Sequence, residues 1–130
     1  YGSTFPLIAD AKKRAGFVQA ANDVLLDVLD GHTARVSPIS VIDLVDLDAA
    51  IAEMTRMRGH GSRAFSIRTE PVGGLSLGHP HFDRLWSTAV DLGMVVNLHV
   101  GNVPGTFGDW GNLGWDFADP ASIGPFMRMG

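Results

Sequence analysis

Apolar and polar positions alternate between two periods along this chain, and the alternation lays out its elements. Residues 94–100 form a short apolar run rich in β-branched residues, the pattern of a strand covered on both faces. Successive strand side chains point to opposite sides, so Val95, Asn97 and His99 share one face. Val96, Leu98 and Val100 share the other, which is purely apolar and suits a helix layer. Residues 63–68 read as a second strand. Phe65 and Ile67 are on the face suited to helices, and Ala64, Ser66 and Arg68 are on the opposite one. Residues 35–42 read as a further strand, although Pro38 within it cannot donate to a ladder.

Helical spacing fills the intervals. After an irregular start over residues 1–9, Asp10 caps a helix in which Phe17, Ala21, Val24, Leu25 and Val28 recur on one stripe, and Gly31 ends it. A second helix starts near Leu47, capped by Asp46 or Asp48. It has Leu47, Ala50, Ile51, Met54 and Met57 inward, Glu53 and Arg56 on the other side, and Gly59 and Gly61 as the stop. A glycine- and proline-rich loop spans 69–81. Asp83 then caps a third helix through Leu92, with Leu85, Trp86 and Ala89 inward and Gly93 after it. Residues 101–120 read as a long loop with Phe107, Trp110, Trp115 and Phe117, aromatics that could wall a pocket or simply pack the loop. A fourth helix is expected over 121–129, interrupted by Gly124 and Pro125.

The unit helix–glycine–strand thus occurs three times at a spacing of roughly 30 residues, the length of a βαβ step. Such repeats predict adjacent parallel strands joined by right-handed crossovers. The expected fold is α/β: an incomplete TIM-type (β/α) barrel, a single partial domain over residues 1–130. The chain opens on Tyr1 and closes at Met129-Gly130 straight after a helix-like run, so truncation at both ends is expected.

Composition narrows the function. Hydrophobic content of 45% against 18% charged residues supports a buried core and argues against disorder. A net charge of −4 without a basic patch argues against a nucleic-acid partner. The longest apolar runs are too short to span a bilayer, and no signal peptide is visible, so no membrane partner and a cytoplasmic location are expected. The absence of cysteine excludes disulfides and thiolate-bound metals.

The chemistry falls at strand ends, where parallel α/β folds place it. His99 suits a metal ligand or an acid–base group, and equally a histidine satisfied by neighbouring backbone. Arg68 suits a carboxylate clamp or a solvated strand end. His79-Pro80-His81 lies in a glycine/proline loop just ahead of a helix, where shaping the loop is the simpler role. There is no P-loop, dinucleotide fingerprint or nucleophile elbow.

Three stretches occur in an order that resembles a known family. They are Asp48-Ala49-Ala50-Ile51-Ala52-Glu53 followed by Gly61-Ser62-Arg63-Ala64, then Gly78-His79-Pro80-His81-Phe82-Asp83-Arg84-Leu85-Trp86, then Leu92-Gly93-Met94-Val95-Val96-Asn97-Leu98-His99-Val100-Gly101. Asn22-Asp23 in the first helix also fits. Together they resemble the amidohydrolase-related family, the branch containing aminocarboxymuconate-semialdehyde decarboxylase and the resorcylate-type decarboxylases. The resemblance implies a metal-dependent barrel enzyme acting on a small carboxylated or carbonyl substrate by hydrolysis or non-oxidative decarboxylation. It implies a divalent metal, zinc or else manganese, with His99 at the position of a metal ligand. The remaining ligands implied by the family, a His-x-His or Glu-x-His pair on the first strand and an aspartate on the last, have no match here. Arg68 and Asn97 are the expected substrate contacts, from their position and chemistry. The partner expected is a small molecule, with a homo-oligomer when full length; the fragment alone is expected to be inactive. Two other readings compete: a non-catalytic half-barrel used for binding or assembly, and a metal-free barrel enzyme in which His99 is the acid–base group.

Overall fold

The computed structural model describes residues 8–69 and 71–99. Val100, the loop expected over 101–120, the helix expected over 121–129 and most of the irregular start lie outside the described residues. The elements in order are α1 (Ala11–Val28), β1 (Ile39–Val41), α2 (Leu47–Gly59), β2 (Ala64–Arg68), a single 3-10 turn (Pro80–Phe82), α3 (Asp83–Asp91) and β3 (Val95–His99).

The strands form one parallel sheet in the order β1-β2-β3. This is an α/β fold with helices alternating with parallel strands, consistent with part of a TIM-type barrel. No helix among the described residues is long and apolar enough to cross a membrane.

The repeated helix–glycine–strand unit has a specific geometry. At the end of α2, Ser62 N–H donates to Met57 O at 3.0 Å and Gly61 N–H to Arg58 O at 3.1 Å. At the end of α3, Met94 N–H donates to Ala89 O at 2.9 Å and Gly93 N–H to Val90 O at 3.0 Å. Both are Schellman motifs, which need a left-handed residue just past the helix. Gly61 and Gly93 supply it, with φ of 90° and 60°. The second motif buries Met94 and leads straight into β3, where Val95 N–H donates to Arg63 O at 2.9 Å. The helix stop therefore sets the strand register.

The core lies between the sheet and α2 and α3. Phe65 and Ile67 of β2 meet Ala50 and Met54 of α2, Leu85 and Ala89 of α3, and Ile42, Leu44, Phe82 and Met94. Leu47, Ile51 and Trp86 pack against this cluster part-buried, as their spacing predicts. Asp10 and Asp46 cap their helices through bonds from Lys13 N–H and Ala49 N–H, so Asp46, not Asp48, is the cap of α2.

Several local expectations are corrected. The first strand is confined to Ile39–Val41 rather than 35–42, because residues ahead of it stay in a turn: Arg35 and Val36 N–H both donate to His32 O. Pro38 sits just outside the ladder, its carbonyl bound by the buried Ser62 hydroxyl at 2.9 Å. Helix α1 buries Val18 and Asn22, whereas Phe17, Val24 and Val28 are exposed. A polar residue with strong partners outcompeted the apolar stripe for the inward face. Asp83 is the first helical residue of α3 rather than its cap, because the 3-10 turn runs directly into the helix.

Candidate functional site

The register brings the predicted site residues to one place. Ser66 is aligned with Asn97, and Arg68 with His99, on neighbouring parallel strands. Phe65 and Ile67 are aligned with Val96 and Leu98. Since Phe65 and Ile67 face the helices, Arg68, Asn97 and His99 lie on the opposite face, as strand parity predicts. Arg68 and His99 form the last aligned pair, at the C-terminal end of the sheet.

One layer below them, Asn97 Nδ2 reaches Ser66 Oγ at 3.5 Å. Asn97 and His99 are exposed and Arg68 is half-buried. The group is thus a cation, an amide and an imidazole on an open surface at the strand ends. It can offer a nitrogen lone pair to a metal or a proton, and a guanidinium to a carboxylate. Among the described residues no group of three or more His, Asp or Glu could hold a metal ion, so His99 supplies one donor of any such site.

The apolar face of β3 departs from expectation. Val96 and Leu98 were expected beneath the flanking helices, yet they remain 38% and 51% exposed. The reason lies in the order of the elements: α3 precedes β3 and packs its buried Leu85 and Ala89 into the cluster around β2, and among the described residues no element follows β3.

His79 and His81 shape their loop. His79 Nδ1 accepts from His81 N–H at 3.1 Å, which caps the 3-10 turn, and the His81 ring meets Phe82 edge-on at 4.9 Å. Trp86 Nε1 donates to Leu77 O at 3.0 Å and ties this loop to α3.

The sequence reading missed a polar network between α1, α2 and β1. Asn22 of α1 bonds both the backbone of Val41 and the carboxylate of Glu53, and Glu53 accepts two bonds from Arg56 at 2.8 Å. Arg56 also pairs with Asp23 at 2.8 Å. These carboxylates, Glu53 foremost, raise the Arg56 pKa well above the usual arginine range, against an opposing effect of burial. Glu53 and Arg56 were expected on the solvated side of α2. The signal available was the Asn22-Asp23 pair between the apolar positions Ala21 and Val24 of α1.

A second pair joins α1 to the end of β1. Arg14 donates to both oxygens of Asp43, at 2.8 and 2.6 Å, and this bond raises the Arg14 pKa. Asp43, Asp46 and Glu53 line a shallow groove with Ala11, Ala15, Val18, Ala49 and Ala50. Each of its carboxylates is already committed, and it includes none of Arg68, Asn97 or His99.

A parallel α/β sheet carrying its polar chemistry at the C-terminal strand ends, with helices on the other face, is the arrangement of (β/α)-barrel enzymes. The family model described as amidohydrolase matches residues 3–128, and the chain belongs to that family. It therefore stands among hydrolase-like enzymes, whose members typically use divalent metals. No curated protein matches the chain.

Proposed function

We propose that the chain forms part of a metal-dependent enzyme of the aminocarboxymuconate-semialdehyde decarboxylase-like branch, acting on a small carboxylated or carbonyl substrate by hydrolysis or non-oxidative decarboxylation. The observation that carries this reading is the alignment of Arg68 with His99 at the C-terminal end of the sheet, on the face away from the helices. Within it, His99 is one ligand of a divalent metal, zinc or manganese. A metal held there supplies Lewis acidity and an activated water. Arg68 grips the substrate carboxylate through its two-pronged guanidinium, and Asn97 donates or accepts a hydrogen bond one layer deeper. One imidazole is short of the three protein ligands usual for catalytic zinc, so the remaining donors come from outside the described residues.

The test uses the protein carrying its complete barrel. His99→Ala is expected to remove most bound metal, measured by elemental analysis, while circular dichroism stays unchanged, because His99 is exposed and packs in no core. Arg68→Lys is expected to weaken binding of a carboxylate substrate at least about tenfold with metal content intact, since an ammonium cannot reproduce the bidentate contact. A His99→Ala protein with normal metal content would refute the ligand assignment. Release of carbon dioxide from an active preparation separates decarboxylation from hydrolysis.

A further inference from the structure

The amide of Asn22 makes two hydrogen bonds to a single residue of the sheet. Val41 N–H donates to Asn22 Oδ1 at 2.8 Å, and Asn22 Nδ2 donates to Val41 O at 2.9 Å. These are the two bonds that one residue of a neighbouring antiparallel strand would exchange with Val41 in a hydrogen-bonded pair. They lie on the side of β1 away from β2. The next residue, Ile42, donates its N–H to Ser66 O of β2 at 3.1 Å, and successive strand residues present their backbone groups to opposite edges.

The orientation of the amide is set by its third bond. Nδ2 also donates to Glu53 Oε1 at 2.7 Å, and an ionised carboxylate can only accept, so the nitrogen cannot exchange places with the oxygen. Glu53 is held in turn by the two bonds from Arg56. Asn22 is fully buried, where a polar side chain without this purpose would cost stability relative to an apolar one. Two residues beyond Val41, Asp43 is gripped by Arg14, also from α1, so the helix covers this edge at both points.

We propose that Asn22 is a peptide surrogate that seals the outer edge of β1 at Val41 against strand addition. A strand lying along this edge can then bond β1 only ahead of Val41. The sheet wall consequently parts towards its C-terminal end on this side, two strands from His99. An open edge would present unpaired N–H and C=O groups that template association with another chain. Asn22 satisfies both of these groups at Val41.

The test uses the full chain, labelled for magnetic resonance. A through-hydrogen-bond coupling between the Val41 amide nitrogen and the Asn22 side-chain carbonyl carbon is expected, and its absence would overturn the proposal. In Asn22→Ala, amide exchange at Val41 should accelerate about 10- to 100-fold more than at Ile42, from the loss of two bonds at the edge alone. Equal acceleration at both residues would mean that Asn22 acts only through global stability. Asn22→Ser, too short to reach Val41 but still polar, reads the same difference if the alanine variant does not fold. Either variant should also self-associate with rising concentration in sedimentation. A variant with Val41 exposed and wild-type sedimentation would overturn the sealing role.

Discussion

Removing the Glu53 carboxylate should be among the more damaging single changes on α2, although the residue reads as a surface glutamate. In Glu53→Ala three bonds go: one from Asn22 Nδ2 at 2.7 Å and two from Arg56 at 2.8 Å. Asn22 keeps its two bonds to Val41, but one amide hydrogen is left orphaned in a fully buried position, which costs about 1–2 kcal/mol. Arg56 keeps Asp23, and its side chain is 28% exposed, so solvent limits that loss to about 0.5–1 kcal/mol. The expected total is about 1.5–3 kcal/mol, a large share of a typical domain stability of about 5–15 kcal/mol. Glu53→Gln keeps a carbonyl oxygen for Asn22 and gives up only the charged pairing, so roughly 1 kcal/mol is expected. Urea unfolding followed by circular dichroism measures both: for an m-value of about 2 kcal/mol/M, the alanine variant should lose roughly 0.75–1.5 M in midpoint. The sign of the pH dependence follows from Arg56, whose pKa is raised in the folded chain. Its contribution is fully present below the ordinary arginine pKa and is lost only as pH climbs through the folded value. The Arg56 share should therefore stay flat between about pH 6 and pH 9. An alanine variant within about 0.5 kcal/mol of wild type, or a glutamine variant as damaged as alanine, would refute the network.

Asp46→Ala should cost about 1 kcal/mol by removing the 3.0 Å bond from Ala49 N–H at the start of α2, read as a midpoint shift in the same urea assay. Phe65→Ala should cost about 3–5 kcal/mol, since the ring is fully buried on the central strand; a loss under about 1 kcal/mol would mean the core does not centre on β2. Zinc titrated into the chain alone in a calorimeter should bind no more tightly than about micromolar, because His99 is one donor and His79 Nδ1 already accepts from His81 N–H. A tighter constant would mean that His79 and His81 give up their loop bond to the metal.

What the sequence determined by itself is the periodic part of the molecule. Two-residue alternation in β2 and β3, 3.6-residue spacing in α2 and α3, and Gly61 and Gly93 at the helix ends each report a local backbone geometry. Local geometry is written in consecutive residues. Parallel order followed from repetition of the unit, and placing Arg68, Asn97 and His99 on one face followed from strand parity. The tertiary structure decided what depends on partners distant in sequence. Phe17, Val24 and Val28 have a helix-compatible spacing, but α1 turns Val18 and Asn22 inward, because Asn22 finds Val41 and Glu53, 19 and 31 residues away. The first strand was read too long because turn bonds from Arg35 and Val36 to His32 compete with the ladder, and propensity does not report that competition. Likewise, an apolar face says that a strand wants cover but not which element provides it, so Val96 and Leu98 read as buried and stand exposed. Burial is a property of the neighbours a residue meets, and those are chosen by the packing of the whole sheet and its helices.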